Sequence, residues 1–161
     1  MISIRLLAAA VLATVLVACG SSDPKTLIAE GQKALGSGDS TTALAKFTEA
    51  SAALKPGDAQ FLDAKMGMIE ALVPTATKQA TDEFLALAKS FPDQIGEKQF
   101  IYIGGQMISS RKYLEAIALI DAGIKRFGPE ATDLRSMIER IKQEAANDKG
   151  VIDALAGLGY A

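Results

Sequence analysis

The chain has no histidine, no tryptophan, a single cysteine and only 6% aromatic residues. Without histidine there can be no Ser-His-Asp triad, no Cys-His nucleophile pair and no imidazole ligand for zinc. One cysteine cannot form an intramolecular disulfide. The net charge is −2 and no basic block occurs, which speaks against nucleic acid as a partner. Glycine (14) and proline (5) are not in excess, so neither a collagen nor a low-complexity tail fits. What remains is a chain of 161 residues, 49% hydrophobic and 22% charged, with room for one ordinary domain or a tight pair. Its apolar content leans on Ala, Leu and Ile, a helical composition rather than that of a β-sandwich.

The N-terminal end carries its own signal. Arg5 is followed by an uncharged run of twelve residues, Leu6 to Val17, and then by Ala18-Cys19-Gly20. A basic start, a short apolar stretch and a small-residue exit are the parts of a secretory signal. Twelve residues are too few to span a bilayer, which takes about 20 in helical form. A short uncleaved anchor or a buried helix is the alternative. The exit is more specific: Leu16-Val17-Ala18-Cys19 resembles the bacterial lipobox in order and position. That resemblance implies cleavage between Ala18 and Cys19, removal of residues 1–18, a diacylglyceryl group on the Cys19 thiol and an acyl chain such as palmitate on its new amino group. At about 0.8 kcal/mol per buried methylene, two or three chains on one residue hold a protein on a membrane where one does not. Gly20 stands where an Asp favours inner-membrane retention in enterobacterial lipoproteins. The resemblance therefore implies an outer-membrane lipoprotein facing the periplasm, if the cell has two membranes. Residues 19–24 read as a short polar linker.

Beyond Pro24, breakers at Gly36-Ser37-Gly38-Asp39, Pro56-Gly57, Pro74, Pro92-Asp93, Ser109-Ser110 and Gly128-Pro129 divide the chain into blocks of helical length. No strict alternation is bounded by hairpin turns, so the fold expected is all-α. Every second block carries one stripe: Ala43, Phe47, Ala50, Leu54; then Ala80, Phe84, Leu87, Phe91; then Ala116, Ile120, Gly123 or Ile124, Phe127. Steps of four, three and four keep such residues on one helix face. The stripes recur after 37 residues (Ala43 to Ala80) and 36 (Ala80 to Ala116). Similarity at a fixed period of this size marks helical repeats.

The pattern resembles the tetratricopeptide (TPR) family, with its A-x₃-F core, a small residue twelve positions earlier and a closing proline. Gly31, Ala43, Phe47 and Pro56 take those places in the first unit, and Gly104, Ala116, Ile120 and Pro129 in the third. In the second, Ala80, Phe84 and Pro92 fit, but Met68 stands at the small position with Gly67 beside it. The large aromatics of the family's first helix are missing, with Leu27 and Ala34 in their places in the first unit. The resemblance implies a right-handed α-solenoid of about three helical hairpins, at 25–57, 58–93 and 94–129, in which Gly31 and Gly104 let paired helices cross closely. An irregular helical bundle is the alternative.

Residues 130–161 follow as a further unit: a helix from Glu130 to Ala146, then an apolar tail. The helix carries the stripe Ala131, Leu134, Ile138, Ile141 and Ala145, suited to capping the open end of a stack. The tail, Val151 to Tyr160, has one charge and either packs back on the last hairpin or binds a partner.

Candidate chemistry is sparse. Glu30, Glu49, Asp121 and Glu139 fall on polar helix faces near lysines, as Asp121 does with Lys125 at i, i+4. No carboxylate pair stands near a nucleophile and no phosphate-cradling glycine loop follows a strand. No catalytic residue, metal or cofactor is expected other than the covalent lipid on Cys19. The family resemblance implies a partner groove on the first helices, carried by Lys25, Ile28 and Gln32, by Lys98, Ile101 and Gly105, and by Lys65 and Ile69 in one of two registers. Those lysines suit an amphipathic or extended peptide of some acidic character. The function implied is a lipid-anchored scaffold or adaptor holding a protein of a cell-envelope assembly. The alternative is a lipid-anchored binding protein whose groove holds an apolar small molecule or an unfolded chain.

Overall fold

The computed structural model describes residues 23–160. The signal segment, its cleavage site Ala18–Cys19 and the lipidation residue Cys19 lie outside the described residues. The described chain is all-α: α1 (Pro24–Gly36), α2 (Ser40–Ala53), α3 (Phe61–Leu72), α4 (Thr77–Ser90), α5 (Glu97–Ser109), α6 (Tyr113–Phe127), a 3₁₀ turn (Gly128–Glu130), α7 (Thr132–Glu144) and α8 (Lys149–Gly157). No strand occurs among the described residues.

Local chemistry sets the ends of these helices. Pro24 opens α1, where its fixed φ suits the first turn and no N–H is missed. The Asp39 carboxylate accepts from the Thr42 N–H at 3.0 Å to start α2. Asp148 does the same for α8, accepting from Gly150 and Val151 at 2.9 and 3.2 Å. The turns closing α1 and α5 are copies of one another. Gly38 N–H donates to Leu35 O and Asp39 N–H to Ala34 O, both at 2.9 Å. In the second copy Arg111 N–H donates to Ile108 O and Lys112 N–H to Met107 O, both at 2.8 Å. These paired bonds close each helix through one left-handed residue, Gly38 (φ 79) in the first turn and Arg111 (φ 56) in the second. The two turns lie 73 positions apart, as do Gly31 and Gly104, Ala43 and Ala116, and Phe47 and Ile120.

Packing follows the same repetition. α1 lies against α2 and α3, α2 against α3, and α3 against α4. Farther on, α5 lies against α6 and α7, while α6 also meets α4, α7 and α8. Phe47 of α2, 1% exposed, sits between α1 and α3. A β-carbon on Gly31 would come within 2.9 Å of its ring, and one on Gly67 closer still. Met68 lies one position off that contact. The glycine, not the residue twelve before Ala80, is therefore what α3 offers to Phe47. The hairpin 73 residues later repeats the contact in weaker form, with Ile120 Cγ1 3.2 Å from where a Gly104 β-carbon would be.

Two apolar clusters share α3. The first is rich in alanine, with Ala34, Ala43, Ala50, Ala64 and Ala71 around Phe47 and Leu27. The second runs from α3 to α8 and is built of larger side chains. Phe84, Phe100 and Phe127 form an edge-to-face series at 4.8 and 5.5 Å, tying α4, α5 and α6 together. Arg126 lies over Phe127 and Phe100 and donates to the carbonyls of Ala88, Pro92 and Ile95 at 3.1, 2.6 and 2.9 Å. That guanidinium fixes the α4–α5 connection to the end of α6.

In α7 the stripe Leu134, Ile138 and Ile141 is buried, with Ala131 and Ala145 buried at its flanks. The tail packs back: α8 lies on α6 with Val151 and Leu155 buried, and Tyr160 OH donates to Asp121 Oδ1 at 3.0 Å. This corrects the placing of Asp121 on a polar helix face, while its pairing with Lys125 holds. It is 8% exposed, paired to Lys125 at 2.7 Å and covered by the tail.

The Phe47 contact separates two glycine substitutions. Gly67→Ala would force a methyl into a rigid buried ring; overpacking of about 1–3 kcal/mol outweighs the helix-propensity gain of about 1 kcal/mol. Gly105 has open space around the same position. Gly105→Ala is expected to raise stability by about 0.4–1 kcal/mol. Thermal unfolding followed by circular dichroism should move in opposite directions for the two variants.

Candidate functional site: the exposed face of α1, α3 and α5

One exposed face is built from α1, α3 and α5. α3 is pressed from two sides by α2 and α4, so its outward strip is narrow: Asp63, Met66 and Glu70, spaced by three and four. Opposite it on α1 stand Gln32 and Leu35. Between them lies a shallow hollow of about 180 Å³, with Phe47 and Gly67 as its floor. Glu70 then reaches the next first helix: its Oε1 accepts from Tyr102 OH of α5 at 2.6 Å, and Gln106 reaches the same hydroxyl. Tyr102 is 47% exposed, one of the few large apolar side chains in solvent among the described residues.

Partial burial first, and the Glu70 carboxylate second, push the Tyr102 phenol up to about 12 from an ordinary value of 10.0. The phenol therefore remains a neutral donor through the physiological range. Its bond holds the ring upright between α3 and α5, an apolar body with its polar tip already occupied.

The groove residues expected from sequence divide into three groups. Lys25 and Gln32 on α1 and Lys98 on α5 are exposed, and Ile101 and Gly105 on α5 are half-buried. Ile28 and Ile69, at 7% and 1% exposure, are corrected to core residues: α1 and α3 turn these positions toward their neighbours. Lys65 and Ile69 also belong to a different depression, of about 380 Å³, beside Phe61, Leu87 and Phe91. There the Lys65 ammonium lies 6.0 Å from the Phe61 ring centre. One continuous groove through all eight residues is thus not formed.

Asp63, Met66, Glu70, Tyr102 and Gln106 were missed. The 63/66/70 spacing and the i, i+4 pair 102/106 are visible as helix faces, but nothing local tells which face of an apolar helix looks outward. The hollow carries two carboxylates and no cation, so an uncharged or basic group suits it better than the acidic one expected. No three His, Cys, Asp or Glu side chains are grouped for a metal among the described residues. No helix among them is long and apolar enough to cross a membrane. The chain matches no protein-family model, no curated protein and no solved structure.

The raised phenol has a consequence at high pH. Below pH 10 Tyr102 is protonated whether the chain is folded or not. Between pH 10 and about 12 only the unfolded chain ionises it, so the stability it contributes falls across that window. With no tryptophan and three tyrosines, ultraviolet difference titration follows the phenols alone, and because Tyr160 is also raised by burial and by Asp121, the Tyr102→Phe variant assigns the step. A step near pH 12, absent in Tyr102→Phe, is expected. Glu70→Gln should bring it only part of the way back toward 10, because burial remains. A Tyr102 step at 10 in the native chain would refute the contact.

Proposed function

We propose that the chain is a lipid-anchored helical-repeat protein of TPR-like design that acts as a protein-binding adaptor at the cell envelope. The observation that carries this reading is the recurrence after 73 residues of the same turn, the same alanine and the same small-to-large contact. Neighbouring first helices touch (α1 with α3, α5 with α7), and so do later second helices (α4 with α6, α6 with α8). Stacking of successive hairpins in a right-handed solenoid produces such contacts, and solenoids present extended faces rather than closed pockets. On this reading α7 and α8 close the stack.

The anchor rests on Leu16-Val17-Ala18-Cys19 and on Cys19 being the lone cysteine. It would carry the body on the outer membrane, facing the periplasm, in a cell with two membranes. From Cys19 to Pro24 the linker spans roughly 20 Å at most, which keeps the first hairpin near the lipid surface. The partner is a cell-envelope protein or peptide that docks on the face of Gln32, Glu70 and Tyr102. Exposed tyrosines held in place on rigid helices are frequent anchors of interfaces.

Two measurements test the two halves separately. Metabolic labelling with a palmitate analogue should mark the native protein and not Cys19→Ser, which should also leave the membrane fraction. Persistent labelling of that variant would remove the anchor. Crosslinking in intact membranes with mass spectrometry should identify a partner whose yield falls at least tenfold in Tyr102→Ala, with the helical circular dichroism of the variant unchanged at the temperature of the experiment although its melting temperature drops with the lost Glu70 bond. Equal yields from both chains would place docking elsewhere.

A further inference from the structure

A hollow of about 970 Å³ lies away from the face described above, where the α5–α6 turn meets the α7–α8 turn. Its charged groups are Arg111, Arg140 and Lys149 against Glu144 and Asp148, with the hydroxyls of Tyr113 and Ser109 beside them. Both carboxylates are committed. Glu144 accepts from Arg140 Nε at 2.6 Å and from Tyr113 OH at 3.2 Å. Its carboxyl is held below the usual range, chiefly by the Arg140 bond. Asp148 is bound to the first N–H groups of α8. The cations are freer. Among the described residues Arg111 enters no ion pair, and Arg140 uses only Nε in hydrogen bonding. Lys149 pairs with Asp153 on its own helix with 85% of its side chain exposed.

Arg111 is also in the wrong place for its backbone. It is the only non-glycine residue with positive φ among the described residues, at 56°. The matching positions after α1 and α8 are Gly38 (φ 79) and Gly159 (φ 82). All three turns have the same pair of closing hydrogen bonds, so the geometry calls for glycine and gets arginine. A strained residue at the rim of a hollow, its guanidinium in no close ion pair although its charge acts on Glu144, points to use of that side chain.

We propose that this hollow binds a carboxylate-rich peptide segment, with Arg111 as its principal contact and Arg140 and Lys149 in support. A guanidinium meets a carboxylate through two parallel N–H bonds, and three cations within one hollow suit several acidic side chains in succession. The volume suits a stretch of peptide rather than a single small anion. A lipid headgroup is the weaker source: α1, the helix nearest Cys19, packs against α2 and α3, whereas this hollow is formed by the elements from α5 to α8. The inference goes beyond the adaptor reading and does not depend on the Tyr102 face.

The test uses the full chain in detergent and a fluorescein-labelled hexaglutamate peptide, read by anisotropy. Saturable binding is expected, weakening steeply between low and physiological salt. Arg111→Gly should weaken it at least tenfold while raising the melting temperature by about 2–4 °C, since the strain is relieved. Arg111→Asn, which also tolerates this backbone, should lose binding likewise, and Tyr102→Ala should keep it. The proposal is overturned if hexaglutamate fails to saturate, or if either Arg111 variant binds it as the native chain does. It is equally overturned if inorganic phosphate competes as well as the peptide. Capture by phosphatidylglycerol vesicles that needs Arg111, with no peptide binding, would replace it with a lipid contact.

Discussion

The ring of Phe47 lies between two glycines, and the relative position of the first three helices depends on it. Gly31 and Gly67 have no β-carbons, so α1 and α3 can both close on one face each of a side chain delivered by α2. Around that ring the cluster is largely alanine, with short side chains that bring helix axes together and contribute little volume of their own. The phenyl group is therefore the main filler of this part of the core. A truncated side chain there would leave a cavity that alanines cannot collapse to fill. The position of α3 in turn decides where α4 lies and which residues of α3 look outward.

The second cluster uses the same principle with different parts. Gly123 of α6 has Phe100 on one side and Leu134 on another, at 2.9 and 2.7 Å from where its β-carbon would be. There the small residue lies on the second helix and the ring on the first, the reverse of the Phe47 arrangement. Large side chains dominate around it, and Arg126 ties the exposed end of the aromatic series to three carbonyls of the α4–α5 connection. Nη1 serves Ala88 and Nη2 serves Pro92 and Ile95, so the position uses the two-nitrogen fork of arginine, which a lysine ammonium lacks. α3 contributes to both clusters, with Ala64, Met68 and Ala71 on the first side and Phe61, Ile69 and Leu72 on the second.

That double duty explains what could and could not be read from the sequence. Helices buried on a single stripe are legible: the periodic residues of α2, α4, α6 and α7 are buried, except Leu54, Phe91 and Phe127 at the helix ends, which are half-buried, because periodicity is a direct image of helix geometry. α3 is apolar on two flanks, so its period gives no unique outward face. Ile69 was placed in a groove although it is 1% exposed, and Glu70 beside it was passed over. Asp121 and Tyr160 lie 39 residues apart in sequence, and Glu70 and Tyr102 lie 32 apart. No local pattern reports such pairs; they arise once packing has chosen which helices are neighbours. The Cys19 motif is of another kind: it is read from local sequence alone and lies outside the described residues.

The same distinction bears on how the exposed face would work. Tyr102 stands on a helix whose rear, Phe100, Ile103 and Met107, is wholly buried, and its hydroxyl is tied to the neighbouring helix by Glu70. A side chain fixed at both ends loses little rotamer freedom when a partner covers it, so more of the contact energy remains as affinity. Gln32 and Asp63 are exposed, have no such tether and would adjust to a partner docked there. The face thus combines one preorganised aromatic with adaptable polar neighbours, held by helices whose spacing the Phe47 contact sets. Anything that widened the α1–α3 gap would move Gln32 away from Asp63 and Glu70 before it disturbed Tyr102. The recognition proposed for this face would in that sense be continuous with the packing behind it.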